Sequence, residues 1–293
     1  MNRRSFIFLL LISLLVVSCK KENELAKYPG PKTKSYSFFV AGHTYGAAGV
    51  DNIGLHPPFL ESFDLIRSWP SLDMGILTGD VVSTGADMED WDEVASNLDD
   101  LEMPIYIAPG NHDVEDRPLF ESLFGNPYYS WKRDNDLFIV LDPNLDGWNI
   151  SGAQLTFLQE TLDSNAQQSS NIFVFFHQLI WWDEDNIFGQ IALNSTEGRN
   201  EPVNFWTDVE PLFHALDTPV IMFAGDMGAA WWAHDVMYFT YDNIQLVGSG
   251  MGEGPGDNFI IVDVTPYGVK LNLIALGVDD YTSMGDVENY LVD

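Results

Sequence analysis

The chain has 293 residues, 46% of them hydrophobic, with 13 Lys+Arg against 44 Asp+Glu and a formal net charge of -31 at pH 7. That length and apolar content suffice for one large domain or two small ones with a substantial core. The charge excludes a protein that holds nucleic acid through a phosphate-neutralising basic surface, and an anionic substrate would need a local cation, for which a bound metal is the obvious source.

Arg3 and Arg4 precede an apolar stretch over residues 6–17, which ends at Ser18-Cys19. A basic start, a short apolar middle and a small residue before a cut mark a secretory signal, and the stretch is too short for a comfortable transmembrane span. Cys19 is the only cysteine, so disulfides cannot staple the fold. Val16-Val17-Ser18-Cys19 resembles a bacterial lipobox. The resemblance implies removal of residues 1–18 and lipidation of Cys19, hence a lipoprotein of the bacterial cell envelope, periplasmic or on the cell surface, that meets the membrane through its anchor only. An ordinary signal peptide with an incidental cysteine is the alternative. Residues 19–35 are polar, carry Pro29 and Pro31 and lack apolar periodicity, so they read as a tether to a domain over residues 36–293.

The first strand is expected over residues 36–41, ending in Gly42-His43-Thr44-Tyr45-Gly46, and residues 57–69 have helical spacing with Phe59, Phe63 and Ile66 on one face. Residues 73–78 read as a strand ending in Gly79-Asp80, and residues 88–101 as an acidic amphipathic helix. The apolar run 105–108 reads as a strand that stops abruptly at Pro109-Gly110, placing Asn111, His112 and Asp113 on one turn. A short helix near 117–124 and strands near 128–132 and 137–142 follow. Ser151 is placed to cap a helix over 151–164, with Gln154 in the capping-box position. Residues 171–176 form a β-prone run ending in His177, and residues 178–204 form a loop rich in Trp, Asn and Gly that reads as an insertion over the site. A helix over 205–216 and a strand over 219–224, ending in Gly225-Asp226, complete the alternating part. Beyond residue 236 the pattern changes to successive strands at 236–240, 244–248, 259–264 and 269–275. Alternating β and α followed by a strand-rich end predicts an α/β fold of two sheets packed face to face with helices outside.

His43, Asp80, Asn111, His177 and Asp226 each lie just past a predicted strand. Strand ends of an open α/β sheet can converge on one point, whereas turn-capping polar residues need not. A mixed set of carboxylate, imidazole and amide donors suits Mn, Fe or Zn better than a pure oxygen cage does.

Gly79-Asp80, Gly110-Asn111-His112-Asp113, the strand ending in His177 and the strand ending in Gly225-Asp226 resemble the ordered motifs of the calcineurin-like metallophosphoesterases. The resemblance implies a four-layer α/β/β/α sandwich with two mixed sheets and a two-metal site that hydrolyses phosphate esters, a site that the departures described below could reduce to one metal. Asp80 would bridge the metals, with Asn111, His177 and Asp226 completing one position. Metal-activated hydroxide would attack phosphorus, His112 would protonate the leaving oxygen, and Asp113 would orient its ring. The substrate would be a phosphorylated small molecule or glycan.

Two motifs depart from the family pattern. Its Asp-x-His is here His43-Thr44-Tyr45, and its Gly-His-x-His is Gly225-Asp226-Met227-Gly228. The second metal position thus has His43, Asp80 and Tyr45 as candidate donors, with Tyr45 either a phenolate ligand or a packing residue that fills the room left at Gly228. The Asp226 side gains a carboxylate, a harder donor set that favours Mn or Mg. His56, His214 and His234 lie off the matched motifs, and the Trp181-Trp182 and Trp231-Trp232 pairs read as substrate-stacking or packing residues. Two functions follow: a metal-dependent phosphoesterase, for which the His112-Asp113 pair speaks, or a degenerate surface lipoprotein that binds a ligand or partner without turnover, for which the altered motifs speak.

Overall fold

The computed structural model describes residues 35–293, apart from 48, 51–52 and 253. The signal, Cys19 and the tether lie outside the described residues. None of the described helices is long and apolar enough to cross a membrane.

Two mixed sheets face each other. The first has the order β11-β10-β1-β2-β3, built from β1 (Tyr36–Ala41), β2 (Leu72–Thr78), β3 (Ile105–Ala108), β10 (Asn258–Thr265) and β11 (Gly268–Ala275). The second has the order β4-β5-β6-β7-β9-β8, from β4 (Tyr129–Arg133), β5 (Asp136–Val140), β6 (Asn171–Phe176), β7 (Val220–Ala224), β8 (Val236–Tyr241) and β9 (Ile244–Ser249). β1, β2 and β3 run parallel, as do β5, β6, β7 and β9, while β10, β11, β4 and β8 add antiparallel partners.

The strands that carry the site are apolar throughout because both of their faces are covered. In β1, Phe38 and Val40 point into the layer between the sheets, meeting Phe138, Phe173, Phe175 and Phe223 of the opposite sheet. Phe39 and Ala41 point the other way, against α1 (Pro57–Glu61), α2 (Phe63–Ser68), α3 (Met88–Asp99) and α4 (Arg117–Phe124). The outer face of the second sheet packs likewise on α5 (Gly152–Asn165) and α6 (Glu210–His214). The α/β/β/α architecture and every predicted strand are therefore present.

Three local expectations change. The helix over 57–69 is two helices, because Ser62 ends the first by bonding Phe59 O through its amide at 3.0 Å and its hydroxyl at 2.6 Å, yet Phe59, Phe63 and Ile66 are buried as expected. Ser151 does not cap α5, since its hydroxyl donates to Asp146 at 2.6 Å. Gln154 turns inward instead and clasps the backbone of Asp142, accepting from its amide at 2.6 Å and donating to its carbonyl at 3.0 Å. The helix over 205–216 is a π-helical turn, Phe205–Val209, that runs into the short α6.

Candidate active site

The carboxyl ends of β1, β2 and β3 meet those of β6 and β7 where the sheets close on each other. Glycine makes that approach possible. A Cβ on Gly79 would lie 2.6 Å from the ring of His177, and Gly79 holds φ +81, which side chains rarely adopt. A Cβ on Gly110 would lie 2.2 Å from Oδ1 of Asp80. His43 and Asp80 also take positive φ, 55° and 51°, a conformation Asp and His tolerate better than most residues. Backbone bonds tie the turns together: His43 N donates to Gly79 O at 3.0 Å, and Asp226 N donates to His177 O at 3.0 Å.

Asp80 is the centre. Its Oδ1 accepts from the amide of His112 at 3.1 Å. Its Oδ2 lies 3.3 Å from Nε2 of His43 and 3.2 Å from Nε2 of His177. Nδ1 of His43 faces Gly46 O at 2.9 Å, and Nδ1 of His177 faces Thr78 O at 2.9 Å. A carbonyl only accepts, so each Nδ1 carries a proton, and each Nε2 is the ring nitrogen turned toward Asp80. In His177, which is fully buried, Nε2 lies near Asp80 and 3.9 Å from Oδ1 of Asp226 but makes no directed hydrogen bond.

An imidazole nitrogen facing a carboxylate calls for positive charge between them, whether a proton or a metal ion. Burial penalises the Asp80 anion, but His177 and His43 outweigh it and hold the carboxyl well below its usual range. Burial also disfavours the His177 cation, but Asp80 and Asp226 outweigh it and push its pKa up to about 10. For His43, burial prevails over the same carboxylates and its pKa falls. The pocket thus calls for positive charge. Two ligands ~2.1 Å from one ion in adjacent positions stand roughly 3.0–3.4 Å apart, which the Asp80–His43 and Asp80–His177 separations satisfy. Among the described residues no three or more His, Cys, Asp or Glu side chains close into a metal cage. Asp80, His43 and His177 are the residues that would hold a metal ion here, with Asp80 lying between the two imidazoles.

Above this centre lies a cleft of about 450 Å³, lined by Asn111, His112, Asn144, Asp226 and residues of the turn and loop on either side. Asp226 and Asn111 therefore face the same space as His112. Nδ1 of His112 bonds to Ser83 O at 2.9 Å, leaving Nε2 as its free nitrogen. Asp113 does not orient that ring, contrary to the sequence expectation. It is fully buried, and its carboxylate accepts from the amides of Val81 at 2.8 Å, Val82 at 3.2 Å and Gly110 at 2.8 Å. It clamps the turn that carries Asn111 and His112 onto the turn after β2. Burial and the neighbouring Asp80 raise its pKa to about 6.

Tyr45 is buried, its ring 4.5 Å from that of His43 and 5.2 Å from that of His112. Burial, with Asp80 and Asp226 nearby, pushes its phenol far above the usual range. A Cβ at Gly228 would first meet Gly250 O at 3.2 Å and Asp235 Oδ1 at 3.3 Å. His56, His214 and His234 lie away from the centre, bonded to Asp257, to Glu210 and Asp242, and to the Ala192 amide respectively. Trp181 is core, whereas Trp231 and Trp232 are exposed at 80% and 53%.

The calcineurin-like phosphoesterase family model matches residues 43–247, which include the His43, Asp80, Asn111, His177 and Asp226 strand ends. The chain belongs to the calcineurin-like phosphoesterases. A Fibrobacter succinogenes protein described as a probable cyclic nucleotide phosphodiesterase is 27% identical over 136 residues, 44% of this chain. The match spans 50% of that relative's length. A purple acid phosphatase from yellow lupin seeds has the same fold, with a TM-score of 0.62 at 15% identity over 85% of this chain and 52% of its own. So has a dimetal phosphatase from Danio rerio, with a TM-score of 0.59 at 14% identity over 83% of this chain and 96% of its own.

Two residues of this phosphoesterase site escaped sequence reasoning. Asn194 donates to Asp226 Oδ1 at 2.8 Å and accepts from the Ala229 amide at 2.9 Å, so the 178–204 loop holds Asp226 in place. No periodicity marks Asn194. Asn144 lines the cleft, fixed by Pro109 O, Asp142 and Gln178. It lies just past β5, so the strand-end rule that found Asn111 was available for it.

Proposed function

We propose that the chain hydrolyses phosphoric esters using divalent metal held on Asp80, with phosphodiesters, such as the cyclic nucleotide in the Fibrobacter relative's name, as the favoured class. The observation that carries this is the sharing of Asp80 Oδ2 between two buried imidazoles whose Nδ1 protons are fixed by carbonyls. His177, Asp226 and Asn111 would hold one metal with Asp80, and His43 the other, with Tyr45 packing beside it. Bound metal would supply Lewis acidity and a nucleophile from water at neutral pH. His112 donates Nδ1–H to Ser83 O, so its imidazolium form would present Nε2–H to the leaving oxygen and act as the general acid. Asp113 acts as a positioning residue through the amides it clamps. Lipidation at Cys19 would place this activity at the bacterial cell envelope, and loss of acyl labelling in Cys19→Ala checks it.

The test is hydrolysis of aryl phosphate mono- and diesters by the full chain dialysed against Mn²⁺, Zn²⁺ or Fe²⁺. Metal-dependent turnover that falls by about 10²–10⁴ in His112→Ala is expected, the range for one general acid. No turnover and no bound metal would select the non-catalytic binder.

A further inference from the structure

The cleft is lined by carboxylates and, among the described residues, holds no lysine or arginine. The two arginines beside it in sequence face elsewhere. Arg117 is paired with Asp142 at 2.6 Å, and Arg199, with its side chain 5% exposed, donates to Trp182 O at 3.2 Å and Asp183 at 2.8 Å. Three carboxylates line the space instead: Asp226 at the floor, Glu115 from the turn after Asn111, and Glu197 from the 178–204 loop. A cation held by Asp80, His177 and Asp226 would draw the phosphate to the Asp226 end of this cleft. Asp226 further lowers the charge there, because it stands where the family pattern has a neutral imidazole.

We infer that Glu115 and Glu197 form a charge filter that favours monoanionic phosphodiesters over dianionic phosphomonoesters. This rests on the ester-hydrolysis reading above and adds the residues that set its selectivity. Glu197 acts through space on the non-bridging oxygens, and Glu115 does so too while its Oε1 also stands 3.9 Å from Nδ1 of His112, an effect that both esters share and that the ratio between them cancels. For charges roughly 7 Å apart under near-aqueous screening, each carboxylate changes the binding of each extra substrate charge by about threefold. Together they set a preference of about tenfold that salt weakens.

The full chain loaded with Mn²⁺ is assayed at pH 8 with bis(p-nitrophenyl) phosphate and p-nitrophenyl phosphate, the latter dianionic because its second pKa is about 6. Expected is a rise in monoester kcat/KM relative to diester of about threefold in Glu115→Gln and in Glu197→Gln, and about tenfold in the double variant, mostly in KM. Raising the salt from about 20 to 200 mM should shift the wild-type ratio the same way and the double variant's less. Active variants with an unchanged ratio overturn the filter and leave the hydrolase standing. If the wild type turns over neither ester, the hydrolase reading falls and calorimetry decides the filter. Methyl phosphate should then gain affinity over dimethyl phosphate by about tenfold in the double variant, and equal gains overturn it.

Discussion

On the Asp226 side of Asp80, a buried imidazole whose Nδ1 donates to Thr78 O stands behind a carboxylate held by Asn194, and that carboxylate and Asn111 line one cleft. On the His43 side, an imidazole fixed by Gly46 O shares the same Asp80 carboxylate oxygen, but its neighbours are a phenol that burial keeps protonated and a glycine beside Gly250 and Asp235. The two sides thus share geometry at Asp80 and differ in how many donors back it.

Substitutions that act on one side only sharpen this contrast. His177→Ala is expected to remove the tighter metal and to lower kcat by on the order of 10³, as loss of a main source of transition-state charge stabilisation does. Metal analysis after dialysis should show one equivalent fewer. Asn194→Ala leaves the donors of the Asp226 side in place but frees Asp226 to turn, so metal affinity on that side should fall about 10–100-fold, the usual effect of losing a partner that orients a ligand. Calorimetric titration with Mn²⁺ checks it. His43→Ala should remove only the weaker equivalent and cost about tenfold in kcat, because the Asp226 side keeps its donors. Tyr45→Phe should change metal content not at all and kcat by less than about threefold, the effect of losing a packing neighbour of His43 and His112. Loss of an equivalent in Tyr45→Phe would make the phenol a ligand and the two sides more alike.

The sequence made the fold legible because its strands are continuous apolar runs, and these remain strands whether one or two layers cover them. The candidate site was legible wherever a donor sits one to three residues past such a run, as His43, Asp80, Asn111, His177 and Asp226 do. It was illegible where a partner is chosen by tertiary approach. Asp113 stands beside His112 in the chain, but the amides of Val81 and Val82 are presented to it by the turn after β2, and no spacing announces that meeting. Asn194 and Glu197 sit on a loop without periodicity, so only the folded path of that loop brings them to the cleft. Gln154 met its capping-box spacing and still turned to Asp142, because the buried backbone there has a stronger need of partners than an exposed helix end.

The measurement closest to the central claim is Mn²⁺ titration of Asp80→Asn beside the wild type, read by calorimetry and by hydrolysis of an aryl phosphodiester. If Asp80 Oδ2 is the shared ligand, the variant should lose binding on both sides at once and fall in kcat by on the order of 10³ or more. A variant that still binds metal with wild-type affinity and stoichiometry would contradict a centre built on Asp80.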